Sequence, residues 1–339
     1  MRRLDGKRCL LIAPRFFGYE RDIRAEIERR GAIVDWLPDR PFDTPAMTAL
    51  TKLKPQWVSP AADRLYERLL NQMGATHYDI ILVVNGQTLS SQWLQRLRTQ
   101  FPTARTVLYM WDSIENRRGA VKNLPQFDAL FTFDPLNSRQ FGMRLRPLFF
   151  VKGFERVPTL DFDYHLSFIG TAHTDRYAVI DRLRRHLASE VRAYWYLYLQ
   201  APWVYHAYRF AKPAMRRARP NEFQFVPLDK SKLQDVFARS RAIVDIEHPR
   251  QRGLTMRTFE TMGSFKKLIT TNTQVREYDF YRKENICVID RSAPRLPAHF
   301  LESPFVPLAG EIYRRYSIEG WLDEVLQLQA PEDVLVSSS

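Results

Sequence analysis

Apolar positions along this chain fall into short runs, and stretches of helical period separate them. KRCLLIAP, AIVDWLP, YDIILVVNG, RTVLYMWD and FDALFTFD each read as a β-strand. YDIILVVNG is apolar without alternation, the pattern of a strand buried on both faces. Between the strands lie RDIRAEIERRG, which closes on Gly31, then ADRLYERLLNQMG, and then SSQWLQRLRTQFP, with Ser90 or Ser91 as its cap. Strands alternating with helices predict a parallel sheet with right-handed crossovers. The pattern restarts at HLSFIGT and continues through DRYAVIDRLRRHLAS, LDKSKLQDVFARS, RAIVDIEH, TMRTFETMG, KKLITTN and NICVIDR. A Pro-bearing, irregular stretch at 145–163 separates the two halves. The expected organisation is therefore an α/β domain over 1–155, a second over 156–310, and a C-terminal helix and tail over 311–339. The closing VSSS is expected to be disordered. Two Rossmann-like domains facing across a cleft would bind ligands at the carboxyl ends of their sheets.

The length supports this division, since 339 residues exceed one ordinary core and suit two. No apolar run reaches the ~18 residues of a membrane-spanning helix. The opening MRRLDGKRCLLIAPR is only superficially like a signal peptide, because its apolar run is short and ends on Arg15. Cys9 and Cys287 both sit in strand-like runs. They read as buried thiols of a reducing cytosol, with no metal-ligand spacing. Charge changes the picture more. Fifty-one basic residues against 38 acidic ones give a net charge of +13, which favours an anionic partner: a phosphorylated substrate, a membrane surface or nucleic acid.

The stretch HPRQRGLTMRTFETMGSFKKLITTN, from His248 to Asn272, carries the most chemistry. A strand runs into the basic loop Pro249–Gly253, and a helix follows. Free N–H groups at a helix start attract anions, and the helix dipole adds to this. Gly253 permits close approach of the backbone to a ligand. Arg257 and Glu260 share one helix face. The arginine suits a diphosphate, and the carboxylate suits the two hydroxyls of a ribose. A plain surface ion pair, worth ~0.3–0.5 kcal/mol, is the competing reading.

This stretch resembles the signature of bacterial two-domain glycosyltransferases of the GT-B fold. It is most similar to the spore-maturation-protein-like (CgeB-type) group and to lipopolysaccharide and capsule biosynthesis enzymes. YMWDSIEN at 109–116, LFTFDPLNSRQFG at 130–142 and FIGTAHTDRY at 168–177 fit the same resemblance. It implies that Glu260 holds the donor ribose, within a nucleotide-sugar site that also draws on His248, Arg252, Gly253, Leu254, Thr255 and Arg257. Many retaining members carry a second Glu eight residues earlier, where this chain has Arg252. Retention of anomeric configuration is therefore not implied.

FIGTAHTDRY offers a second anion-binding corner, with Gly170 and Thr171 at a strand end and Arg176 at a helix start. His173 reads as a contact to the donor, as a proton carrier, or as a loop residue capping that helix. An inverting transferase needs a base for the acceptor hydroxyl. Asp112, just past a strand, is the first candidate, though a strand-end Asp also serves as a cap or pairs with an arginine. Glu20, in the loop after the first strand, and Asp134 follow it. Asp161 and Asp163 form a D-x-D pattern, but they fall in the interdomain stretch, so no metal and no other cofactor is expected.

Residues 191–220, read as an insert in the second domain, combine eight aromatic and six basic residues with no acid. That composition suits an anionic membrane surface or a lipid-linked acceptor, a core-packing helix with a basic end, or single-stranded nucleic acid. The combined reading is a cytoplasmic glycosyltransferase, at most peripheral on the inner face of the membrane. It would move a sugar from a nucleotide donor to a cell-surface glycan or lipid-linked acceptor. An epimerase or hydrolase of nucleotide sugars, and a non-catalytic glycan-assembly factor, are the alternatives on the same scaffold. The spread of motifs disfavours a nucleic-acid partner.

Overall fold

The computed structural model describes residues 4–39, 55–156 and 161–328. The expected disordered VSSS end lies outside them. The chain forms two units, one of residues 1–147 together with 318–339, the other of residues 148–317.

The first unit alternates β1 (Arg8–Ala13), α1 (Tyr19–Arg29), β2 (Ile33–Pro38), α2 (Pro55–Met73), β3 (Ile80–Val84), α3 (Ser91–Gln100), β4 (Arg105–Met110), β5 (Ala129–Thr132), α4 (Pro135–Phe141) and β6 (Arg144–Leu145). Its six strands are parallel, in the order β2-β1-β3-β4-β5-β6. All five residues of β3 are buried, as its unalternating sequence predicts. Ser90 caps α3 by accepting a hydrogen bond from the Trp93 amide at 3.0 Å. The order of travel across the sheet reverses between β1 and β3.

The second unit runs through β7 (Tyr164–Thr171), α5 (Arg176–Arg184), β8 (Ala193–Tyr198), α6 (Pro202–Ala211), β9 (Phe223–Gln224), α7 (Lys230–Ala238), β10 (Ser240–Asp245), α8 (Met256–Gly263), β11 (Lys267–Thr270) and β12 (Ile286–Val288). Short helices α9 (Ala298–Glu302) and α10 (Gly310–Arg315) follow. Its sheet is also parallel, in the order β12-β11-β10-β7-β8-β9, so the reversal lies between β7 and β10.

Residues 191–220 are not an insert. They supply β8, which pairs along its length with β7, then α6 and a short 3-10 turn at Pro213–Arg217. The strand escapes a reading by polarity because AYWYLY is aromatic at four of its six positions and apolar at the other two. Its period is nevertheless two: Tyr194, Tyr196 and Tyr198 take one face, and Trp195 and Leu197 the other.

The boundary between the units falls within the Pro-bearing stretch, after Pro147 rather than at the expected 155. Phe149, Phe150, Val151 and Phe154 are buried in the second unit. The Phe150 ring lies 4.7 Å from Tyr313, and a Cβ on Gly263 would stand 2.6 Å from it. That apolar run needs a core, which the segment's prolines do not supply.

The last helix, α11 (Ile318–Val325), belongs to the first unit. Trp321 is fully buried, edge-on to Tyr109 at 4.8 Å. Arg30, also buried, donates to Glu26 at 2.9 Å, to Asp323 at 2.6 Å and to the Glu319 carbonyl at 2.8 Å. Arg146 pairs with Glu324 at 2.9 Å. Removing one partner of a buried ion pair strands the others. Arg30→Ala should therefore lower the stability of the first unit by about 3–5 kcal/mol. Arg24→Ala, which breaks the exposed pair with Glu28, should cost under ~0.5 kcal/mol. Urea unfolding of both variants checks the contrast.

Candidate functional site

Two helices start where the second sheet reverses. α5 follows β7 through the loop Ala172–Asp175, and α8 follows β10 through the loop Ile246–Thr255. Neither has a side-chain cap. Thr255, at the cap position of α8, instead donates its hydroxyl to Asp245 at 2.6 Å, and Thr258 approaches the same oxygen at 3.3 Å. Both helices thus start without a capping side chain among the described residues, at a point where an anion is favoured.

Each helix sends a first-turn arginine across the reversal. Arg176 of α5 donates to the Ile246 carbonyl beyond β10 at 2.6 Å and to Thr171 at 3.3 Å. Arg257 of α8 donates to the Ile169 carbonyl in β7 at 3.1 Å and to Glu260 at 2.6 Å. Glu260 is only 5% exposed, so this is a half-buried pair rather than the solvated surface pair that its spacing also allowed. The Arg257 guanidinium also lies over the Phe237 ring at 5.0 Å.

Arg291, just after β12, ties the rim together. It grips Asp175 with two donors at 2.8 and 3.0 Å, and it reaches the Glu247 carboxylate at 2.5 Å. Thr271 donates to the other Glu247 oxygen at 2.5 Å. Burial raises the pKa of Asp245 and Glu247, while the hydroxyls and arginines oppose that rise. Hydrogen bonding from Arg291 holds Asp175 below its usual range. Lys212 adds a further cation, donating to the Thr174 carbonyl at 2.9 Å. Asp245, Glu247 and Arg291 were not among the residues singled out by sequence, and Lys212 counted only among the six basic residues of 191–220. Asp245 and Arg291 carry one legible signal: each is a charge directly at or after the end of a strand.

Of the residues expected at a nucleotide-sugar site, Gly170, Thr171, His173, Arg176, His248, Thr255, Arg257 and Glu260 stand at this edge of the second sheet. Gly170 has a packing reason to be glycine, since a Cβ there would lie 2.9 Å from the Phe168 ring. Leu254 is a buried core residue. The Gly253 carbonyl accepts from Gln251 at 3.0 Å, and Arg252 is exposed. The His173 and His248 rings are 6.1 Å apart.

The remaining candidates belong to the first unit. Glu20 lies in the first turn of α1, not in the preceding loop, because the helix begins at Tyr19 after a left-handed Gly18 with φ of 78°. Its carboxylate accepts from the Phe16 amide at 3.1 Å. Asp112 pairs with Arg117 at 2.8 Å and accepts from Ser113 and Asn116, each at 2.9 Å. Asp134 caps α4 through the Leu136 amide at 2.8 Å. Phe16 and Trp111 meet at 5.6 Å and join the loops after β1 and β4. Asp163 pairs with Arg239. Among the described residues no group of three or more His, Cys, Asp and Glu side chains is placed to hold a metal.

No protein-family model matches this chain, and no curated protein matches it. Solved structures do. HepE of Anabaena in complex with UDP-glucose superposes with a TM-score of 0.60 at 12% identity, covering 95% of this chain and 98% of that one. A Listeria monocytogenes protein assigned as a UDP-N-acetylglucosamine 2-epimerase gives 0.52 at 10%, covering 95% of each. MurG of Acinetobacter baumannii gives 0.51 at 10%, covering 95% of this chain and 99% of that one. The fold is of the GT-B type. At such identities the likeness concerns the fold alone.

Burial, reinforced by Arg176, His248 and Lys212 and opposed by Asp175, pushes His173 down to about 4. Its imidazole is neutral at physiological pH. The unfolded chain takes up this proton below its ordinary value of 6.5, whereas the folded chain takes it up only near 4. Stability is therefore lost as pH falls through that window. His173→Gln should lose less stability than the wild type between pH 7 and pH 4.5, measured as the shift in urea midpoint.

Proposed function

We propose that this protein is a glycosyltransferase that moves a sugar from a nucleotide-activated donor to a glycan or lipid-linked acceptor of surface polysaccharide synthesis. The observation that carries this reading is the pair of uncapped helix starts, α5 and α8, at the reversal of the second sheet, each with an arginine in its first turn. Two such ends suit the two phosphates of a nucleoside diphosphate. A fold of this kind holds UDP-glucose in HepE, which supports a nucleotide sugar as the ligand.

When the bond from the anomeric carbon to the phosphate breaks, negative charge builds on the diphosphate. Helix amides with Arg176 and Arg257 are oriented before the reaction begins and stabilise that charge as it develops. Glu260 accepts hydrogen bonds from the ribose hydroxyls. Neutral His173 donates an N–H to an oxygen of the donor. The acceptor belongs to the first unit, where Asp112 is the first candidate base and Glu20 the second. Each must release its present partners to take a proton.

The Listeria likeness favours a second reading, epimerisation of a nucleotide sugar on the same scaffold. The two readings differ in one product. An isomer or free sugar released without any acceptor supports the second, and turnover that requires an acceptor supports the first.

Calorimetry with nucleoside diphosphates tests the site directly. Glu260→Gln should weaken binding by ~1–3 kcal/mol, the scale of a hydrogen bond to a charged group. Unchanged affinity would remove Glu260 from the ribose. Arginines supply the positive charge in this mechanism, so a chelator should leave sugar transfer intact. Restoration of lost activity by magnesium or manganese would contradict it.

A further inference from the structure

The aromatic and basic side chains of residues 191–220 divide into two sets. β8 and the inner face of α6 are built into the fold. Val204 and Tyr205 are buried, and the Tyr205 hydroxyl donates to the Ala218 carbonyl at 2.8 Å. Met215 closes the same cluster from the 3-10 turn. The outer face of α6 is the opposite. Trp203 is 71% exposed and Phe210 89% exposed. They stand seven residues apart, two helical turns, with exposed His206 and Ala207 between them on the same stripe. Exposed Arg209 flanks the stripe, and exposed Arg216 and Arg217 follow in the turn. Among the described residues none of these three arginines has an ion-pair partner. No acid occurs anywhere in 191–220. Arg192 and Lys212 differ, because the fold already uses them: they donate to Asp163 and Thr174 carbonyls.

We propose that the outer face of α6, with Trp203 and Phe210 as anchors and Arg209, Arg216 and Arg217 beside them, docks the second unit onto an anionic lipid surface. A short amphipathic helix lies flat at such an interface, with its aromatic stripe in the headgroup region and its cations against lipid phosphates. Among the described residues no helix is long and apolar enough to cross a membrane, so attachment through this face is peripheral. The two residues stand on a convex helix face, about 10 Å apart along the helix axis, not along a groove where successive bases stack, which favours lipid over single-stranded nucleic acid. The inference deepens the proposed function, since a lipid-linked acceptor is presented at a membrane surface.

Vesicle sedimentation of the full chain tests it. Phosphatidylcholine vesicles are compared with vesicles of equal parts phosphatidylcholine and phosphatidylglycerol, at low and high salt. Wild type should sediment with the anionic vesicles only, and salt should weaken but not abolish the binding. Each basic residue near an anionic surface contributes ~1 kcal/mol. The triple variant Arg209→Gln, Arg216→Gln and Arg217→Gln should therefore bind on the order of a hundredfold more weakly at low salt. Trp203→Ser with Phe210→Ser should remove the part that survives high salt. These side chains are exposed, so both variants should keep the wild-type thermal midpoint. Equal sedimentation with neutral and anionic vesicles would overturn the proposal. So would variants that bind like wild type, or binding to a single-stranded oligonucleotide without binding to vesicles. Nucleoside diphosphate binding by the same samples separates the two readings. Its retention without vesicle binding sinks only the membrane face, and vesicle binding without it sinks only the nucleotide site.

Discussion

A parallel sheet has to be covered on both faces, and right-handed crossovers allow this only if the chain reverses its direction of travel across the sheet. Each unit obeys that constraint once, between β1 and β3 in the first and between β7 and β10 in the second. At the reversal two neighbouring strands send their following helices to opposite faces. A crevice opens beyond the strand ends, and helix N-termini border it. The nucleotide site proposed for the second unit depends on this crevice, because it brings together residues as distant in sequence as Arg176 and Arg257.

What fills the crevice is charge held by charge and by backbone. Arg176 and Arg257 each cross it to a carbonyl of the opposite strand or loop, and Arg291 bridges Asp175 and Glu247. Guanidinium groups suit this work, since each has five donors in a rigid plane and can brace the protein while still presenting N–H groups to a ligand. Carboxylates alone would not tolerate such burial. The pKa of Asp245 and Glu247 rises with desolvation, and the nearby hydroxyls and arginines keep the rise in check. The Arg257–Glu260 pair has a double meaning here. It pre-positions both groups, and it makes each the other's competitor for a ligand.

The first unit is held differently. Its final helix arrives from the far end of the chain and is fastened by Arg30, Arg146 and Trp321, all at most 1% exposed. The outer face of α6, in the second unit, stays exposed. Large aromatics stay exposed there beside arginines that have no ion-pair partner among the described residues, although Tyr205 and Met215 on the inner side pack fully. A helix that satisfies its core on one side and leaves Trp and Phe on the other presents the kind of surface on which the proposed lipid docking rests.

Sequence alone determined the alternation of strand and helix, the restart that makes two units, the cap at Ser90 and the strand–loop–helix around Gly253. All of these are local: apolar period, turn residues and caps act within a few positions of one another. β8 was hidden because aromatic residues occupy both of its faces, so that polarity no longer marks the period. The start of α1 was shifted because a left-handed Gly18 placed Glu20 in the helix. Asp112 and Asp134 could be named as polar residues at strand ends, but only their neighbours Arg117 and Leu136 show what occupies them. Asp245, Glu247, Arg291 and Lys212 gave little sign of their place, because their partners are far away along the chain. Tertiary structure alone decided which arginines meet at the second reversal, which carboxylates are buried beside them, and which aromatics of residues 191–220 face solvent. Those outcomes depend on strand order and on which face each helix covers, and neither is written in any local stretch of sequence.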